Sequence, residues 1–136
     1  MASRPATVEE ARLLQRAVSV AQRAYAPYSG FLVGALVVGG TGGQYAGVNV
    51  ENASYPIGQC AERVALGALV TAGERTVVTV AVAAADGSDL LPCGACLQAL
   101  AEFGSPAIVY REGGRPRAVP LSDLLTAPFT GPTARA

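Results

Sequence analysis

Three cysteines and a complete absence of histidine set the narrowest limits on what this chain can build. An odd count cannot pair off fully into disulfides. Residues 1–10 carry an arginine and two glutamates without an apolar stretch, so no secretory leader and a reducing, cytoplasmic setting are expected. Without imidazole, any transition-metal site must rest on thiolates, and acid–base work falls to carboxylates. The cysteines are spaced for such a site: Cys60 stands two residues before Glu62, and Cys93 and Cys96 lie in the run Pro92-Cys93-Gly94-Ala95-Cys96. Zinc prefers four ligands, so thiolates from Cys60, Cys93 and Cys96 leave a fourth position open for water, the layout of a catalytic centre and not of a closed structural one. Glu62 is too near Cys60 in sequence to be a comfortable fourth ligand and reads as a proton shuttle.

Three thiolates on a dication carry a net charge of about −1, which would raise the pKa of bound water and blunt the nucleophile. Two devices oppose this. Both ligand groups open predicted helices, where backbone N–H groups and the helix dipole favour thiolate. Arg63 lies close enough in sequence to donate hydrogen bonds to ligand sulfurs. The plainer alternative makes the cysteines small buried hydrophobes and Glu62 an ordinary first-turn acid. The joint pattern, with no spare ligand at two helix starts, favours the catalytic arrangement.

The rest of the chain reads as alternating strands and helices. Thr7 and Glu10 form a capping box ahead of apolar residues at helical spacing, which predicts a helix over about 7–25. Pro27 begins a turn, and strands are expected over 31–38 and 44–50, joined by a short glycine-rich link as a hairpin. Ala61, Val64, Ala65, Ala68, Leu69 and Ala72 repeat as one face of a second helix that Gly73 ends. The valine-rich run 76–85 predicts a central strand covered on both faces. A short helix then carries Cys96, Leu100 and Phe103 to Gly104, followed by strands over 107–111 and 118–120 and a last short helix capped by Ser122 or Asp123. The expected fold class is α/β, a three-layer α/β/α sandwich with a mixed five-stranded sheet, formed as one domain over 1–136 with 1–6 and 131–136 frayed.

Composition bears on partners. Charged residues are 15% of the chain and hydrophobic ones 51%, which leaves little polar material to cover a monomer and favours an oligomer. Arginines are scattered, with no basic cluster for a phosphate backbone, so no nucleic-acid partner is expected. The longest apolar run is far below the roughly 20 residues of a membrane span, so no membrane partner is expected either.

Residues 25–35, 49–56, 60–65 and 92–98 stand in an order and spacing that resembles the homotetrameric zinc-dependent cytidine deaminases, with the likeness running from about Ala24 to Phe129. The resemblance implies one Zn2+ per subunit on Cys60, Cys93 and Cys96, with Glu62 as the catalytic proton carrier. The implied reaction is hydrolytic deamination of free cytidine and 2'-deoxycytidine, a nucleoside-salvage step. It further implies that Asn49 and Glu51 bond the ribose 3' hydroxyl, Phe31 packs on the pyrimidine and the Ala61 backbone meets the base edge. Tyr55 is implied as an interface residue near the sugar, and Phe129 as an aromatic reaching into a neighbouring subunit's site. Taken alone, Phe31 and Phe129 read more readily as core residues than as ligand contacts, and Asn49 and Glu51 equally as the solvated face of a strand. Tyr28 is assigned to packing. Two departures are a leucine at Leu97, where the family usually has arginine, and Leu32, where it commonly has proline. A relative acting on a modified cytosine nucleoside such as blasticidin S is the alternative within this chemistry. A zinc-binding scaffold without catalysis is the alternative outside it.

Overall fold

Thr7 opens the first helix as its sequence predicts: its side chain accepts from the Glu10 N–H at 3.1 Å, and the Glu10 carboxylate accepts from the Thr7 N–H at 2.8 Å. The computed structural model describes residues 2–132. In chain order the elements are β1 (Arg4–Pro5), α1 (Val8–Ala21), β2 (Val33–Gly39), β3 (Gln44–Val48), α2 (Ala61–Thr71), β4 (Val77–Ala84), α3 (Gly94–Ala101), β5 (Ala107–Glu112), β6 (Arg115–Pro120) and α4 (Leu121–Leu124), with a single 3-10 turn at Tyr55–Ile57. The strands form one mixed sheet in the order β1-β6-β5-β4-β2-β3, in which only β4 and β5 run parallel.

Six strands stand where five were expected. The additional one is the residue pair Arg4 and Pro5, which aligns with Ala118 and Arg117 at the sheet edge. Arg4 donates from both terminal nitrogens to Glu10, at 2.7 and 2.9 Å, and Ser3 meets the Tyr110 hydroxyl and Arg117. Residues 2–6 are therefore held, contrary to the expected fraying; of the other end, residues 133–136 lie outside the described residues. Ser122 and Asp123 also depart from expectation, since Pro120 takes the cap position and both fall inside α4.

Alternation along the strands divides the core into two layers. Leu36, Ala81, Val109 and Ala118 face α1 and pack with Leu14 and Ala17, while Ala35, Val37, Val80, Val82, Ile108 and Tyr110 face α2 and α3. Helix α2 buries Ala61, Glu62, Ala65, Leu66 and Leu69, whereas Ala68, expected inside, is exposed. The apolar pattern thus locates the helix but misplaces its face by part of a turn. That rotation carries Glu62 inward.

Two glycines permit this close layering. A Cβ on Gly47 would overlap the Ala61 carbonyl and the Ala65 N–H of α2, and one on Gly34 would overlap Ala17 and Ala21 of α1. Gly47→Ala is expected to force α2 off β3 at a cost of about 1–3 kcal/mol, the range for overpacking a tight contact. The check is a lower urea midpoint at unchanged m-value.

Candidate active site

The N-termini of α2 and α3 converge on one side of the sheet, and their cap residues are Cys60 and Cys93. Cys96 follows in the first turn of α3. The three sulfurs lie within 4.8 Å of one another, and the Cys60 and Cys93 sulfurs are 4.0 Å apart. Cys96 is fully buried, Cys60 half-buried and Cys93 exposed, so the cluster runs from the core to the surface.

The electrostatics differ from sulfur to sulfur. Burial pushes the Cys96 thiol far above its ordinary value, helped by the negative charges of Glu62 and Cys60. Burial also works against Cys93, but the Cys96 and Ala95 backbone N–H groups and the neighbouring sulfurs bring it below its ordinary value. Arg63 stands beside them, with Nη2 at 3.7 Å from the Cys60 sulfur, and its guanidinium is held more firmly protonated by that contact. Among the described residues the buried Arg63 Nε finds no hydrogen-bond partner. Three convergent thiol groups beside one fixed cation suit a thiophilic dication, whose charge would let the buried Cys96 ionise.

Glu62 is 4% exposed and occupies the first turn of α2. Burial raises its carboxyl above the usual range, partly offset by its own backbone N–H, the Cys96 thiol and the Arg63 charge. A carboxyl whose proton affinity is raised in this way is suited to take up a proton and pass it on.

A cavity of about 540 Å³ opens above this group and is lined by Cys60, Ala61, Glu62, Arg63 and Cys93 on the helix side. Phe31, Asn49, Glu51 and Tyr55 line it as well; of the residues singled out from the sequence, only Phe129 stands apart, since the buried Cys96 is absent from the lining but belongs to the sulfur cluster beneath it. Strand β3 ends at Val48, two residues earlier than expected, and Asn49 and Glu51 extend beyond it in a segment bridged through Val50 to Tyr25 and Gln59. Neither is a solvated strand face. The Asn49 Oδ1 accepts from the Val33 N–H at 2.8 Å and its Nδ2 donates to the Phe31 carbonyl at 2.8 Å. Glu51 accepts from the N–H groups of Tyr28 and Ser29 at 3.0 and 3.1 Å and from the Ser29 hydroxyl, which lowers its carboxyl, the hydroxyl contributing most. Each side chain keeps hydrogen-bonding capacity for a ligand while its orientation is fixed.

Sequence reasoning missed three residues here. Ser29 links Glu51 to the Phe31 N–H at 3.0 Å, tying a wall carboxylate to a wall aromatic. Tyr28, assigned to packing, is 50% exposed and lies edge-on to Tyr55 across an adjoining cavity of about 320 Å³. Gln98 grips the backbone of Phe129 in two bonds, from Nε2 to the carbonyl at 2.8 Å and from the Phe129 N–H to Oε1 at 2.9 Å. The Phe129 ring itself is 71% exposed, outside the cavity of its own chain and outside the core. All three stand in the family-like stretches 25–35 and 92–98, but the partner each one meets is brought near only by folding, and no spacing rule marks it. Leu97 is buried in the core against β-sheet residues, so the family's arginine position carries packing here.

Residues 7–112 match the cytidine and deoxycytidylate deaminase zinc-binding region. A cytidine deaminase of Halalkalibacterium halodurans is 40% identical over 121 residues, covering 87% of this chain and 92% of its own. That of Mycobacterium tuberculosis is 40% identical over 113 residues, covering 83% and 84%. The crystal structure of a cytidine deaminase from Burkholderia pseudomallei superposes with a TM-score of 0.81 at 38% identity, covering 91% of this chain and all of the other.

Proposed function

The chain belongs to the cytidine and deoxycytidylate deaminase family, and on that premise we propose that it hydrolyses free cytidine and 2'-deoxycytidine to uridine and 2'-deoxyuridine with release of ammonia. The observation that carries this reading is the cluster of three sulfurs within 4.8 Å beside a buried carboxylate, at the floor of a cavity of about 540 Å³. Cys60, Cys93 and Cys96 would hold one zinc ion, which supplies Lewis acidity and lowers the pKa of water.

This chain's residues then divide the remaining tasks. Glu62 takes the proton that water gives up as it adds to ring carbon 4 of cytosine, and delivers it to ring nitrogen 3. It next carries the proton of the new carbon-4 hydroxyl to the amino group; the carbon–nitrogen bond breaks as the carbonyl forms, and ammonia departs. Its burial supports both roles, because a raised proton affinity lets one carboxyl serve as base and then as acid. The first N–H groups of α2, that of Ala61 among them, have no partner within the helix and can meet the base edge. Phe31 packs on the pyrimidine. Arg63 balances thiolate charge from its place 3.7 Å from the Cys60 sulfur.

Asn49 and Glu51 read the ribose 3' hydroxyl, the first as donor and the second as acceptor. An analogue lacking that hydroxyl leaves two oriented polar groups without their partner. For 3'-deoxycytidine, kcat/KM is expected to fall by about 10–100-fold relative to cytidine, measured under identical zinc loading. An unchanged ratio would remove both residues from the sugar site.

The chain is proposed to act as a homotetramer. Tyr55 is 74% exposed, Ile57 59% and Phe129 71%, and apolar surface of this kind near a site is characteristic of a subunit contact. The exposed Phe129, held at its backbone by Gln98, would complete a neighbour's cavity in this assembly. A cytoplasmic location is proposed together with this activity. Among the described residues no helix is long and apolar enough to cross a membrane. The direct test of the whole reading is the fall in ultraviolet absorbance when zinc-loaded protein is mixed with cytidine. Stoichiometric metal without any such fall would require another substrate.

A further inference from the structure

We propose that Asp89 is a positioning residue for the metal ligand Cys93, acting by anchoring the connection between β4 and α3 to the turn between β5 and β6. The inference rests on the reading of Cys60, Cys93 and Cys96 as zinc ligands.

Strand β4 ends at Ala84 and α3 begins at Gly94, so Cys93 hangs from a connection without regular structure. Cys96 is held in the core by its helix, whereas Cys93 is exposed and caps that helix, its carbonyl accepting from the Leu97 N–H at 3.0 Å. On the side away from the helix, its place depends on where the connection is held. Because β4 and β5 run parallel, the β5–β6 turn lies at the end of the sheet where β4 releases the chain. There the two carboxylate oxygens of Asp89 accept from consecutive backbone N–H groups, Gly113 at 2.7 Å and Gly114 at 3.2 Å. Both glycines adopt left-handed backbone, with φ of 58° and 76°, which a side-chain-bearing residue would adopt only with strain. The turn is therefore built to present those N–H groups.

Two further contacts extend the anchor along the same stretch. Leu90 pairs with Arg111 of β5 as an isolated antiparallel bridge, and Arg111 donates to the Gly87 carbonyl at 3.5 Å. From Asp89 the chain passes through Leu90 and Leu91, both lining the cavity, and through the buried Pro92, whose ring fixes φ, to reach Cys93. Three residues, the last of them a rigid proline, separate the anchor from the ligand. Groups outside the ligand set that fix a ligand's position commonly tune metal affinity.

The test compares the zinc-loaded parent with Asp89→Ala and Asp89→Asn. Zinc transfer to a chromophoric chelator is followed in time, and the ligand-field absorption is recorded after loading with Co2+. Release from Asp89→Ala is expected to be up to about tenfold faster than from the parent. Asp89→Asn, which keeps one acceptor oxygen for Gly113, is expected to fall between them, and the cobalt band of Asp89→Ala to lose intensity. A purely structural role would lower the unfolding midpoint of the metal-free chain without moving release or spectrum, and that result overturns the inference. If Asp89→Ala does not fold, Asp89→Asn decides, and release equal to the parent's overturns the inference. A parent chain that takes up no metal overturns the ligand assignment itself, and this inference with it.

Discussion

Glu62→Gln is expected to reduce kcat for cytidine by at least about 10³-fold while leaving zinc content at the parent's level. The magnitude follows from the double duty proposed for this carboxyl. General acid–base catalysis by one positioned group contributes about 10²–10⁴-fold, and here one group serves both the addition of water and the departure of ammonia. Glutamine has the same shape, so α2 stays seated on Gly47 and the cysteine at its cap stays in place. Its amide cannot carry a proton between atoms. A neutral amide also removes the need to bury a carboxylate at 4% exposure, so the variant should be no less stable than the parent. Stopped-assay product counting together with metal analysis checks both halves. Residual activity within tenfold of the parent would assign proton transfer elsewhere.

Cys93→Ala is expected to abolish retention of zinc against a chelator and to lower cytidine turnover to the background of the metal-free chain, by about 10³-fold or more. Cys93 is the informative choice among the three ligands. Cys96 is buried in the core layer under α3, so removing its sulfur would confuse loss of metal with loss of packing. Cys93 is exposed, so its removal leaves the fold intact. Two thiolates provide a far weaker hold than three. Equilibrium dialysis gives the stoichiometry, and circular dichroism shows whether the fold is retained. A variant that keeps one zinc per chain and full turnover would exclude Cys93 from the centre.

Much of the site was legible because its chemistry demands residue types at short, fixed spacings. Two cysteines three apart on one helical turn, a cysteine two before a glutamate and the lack of any histidine leave few arrangements open. The parts that could not be read depend on contacts distant in sequence. Arg4 and Pro5 form a strand only because β6 offers an edge and Glu10 offers a carboxylate, and a two-residue strand has no periodicity to detect. The face of α2 was misjudged because alanines are nearly silent about direction; Gly47 of β3, not the helix's own pattern, decides which side is pressed inward. Ser29 and Gln98 were missed for a related reason. Each bonds the backbone or carboxylate of a residue that only folding brings near, as Gln98 does with Phe129 across 31 positions.

Cys60 and Cys93 occupy helix starts where serine, threonine, aspartate or asparagine would ordinarily close the first turn; Cys60 makes no side-chain capping bond, and at Cys93 only the weaker attraction of its sulfur for the Ala95 and Cys96 N–H groups stands in for one. The Cys60 start thus forgoes roughly 1 kcal/mol that an oxygen cap provides. For anyone seeking a hardier variant, these two sites are closed to a dependable substitution. Hardening must be sought away from the cavity, where Thr7 already shows a capped helix start in this chain.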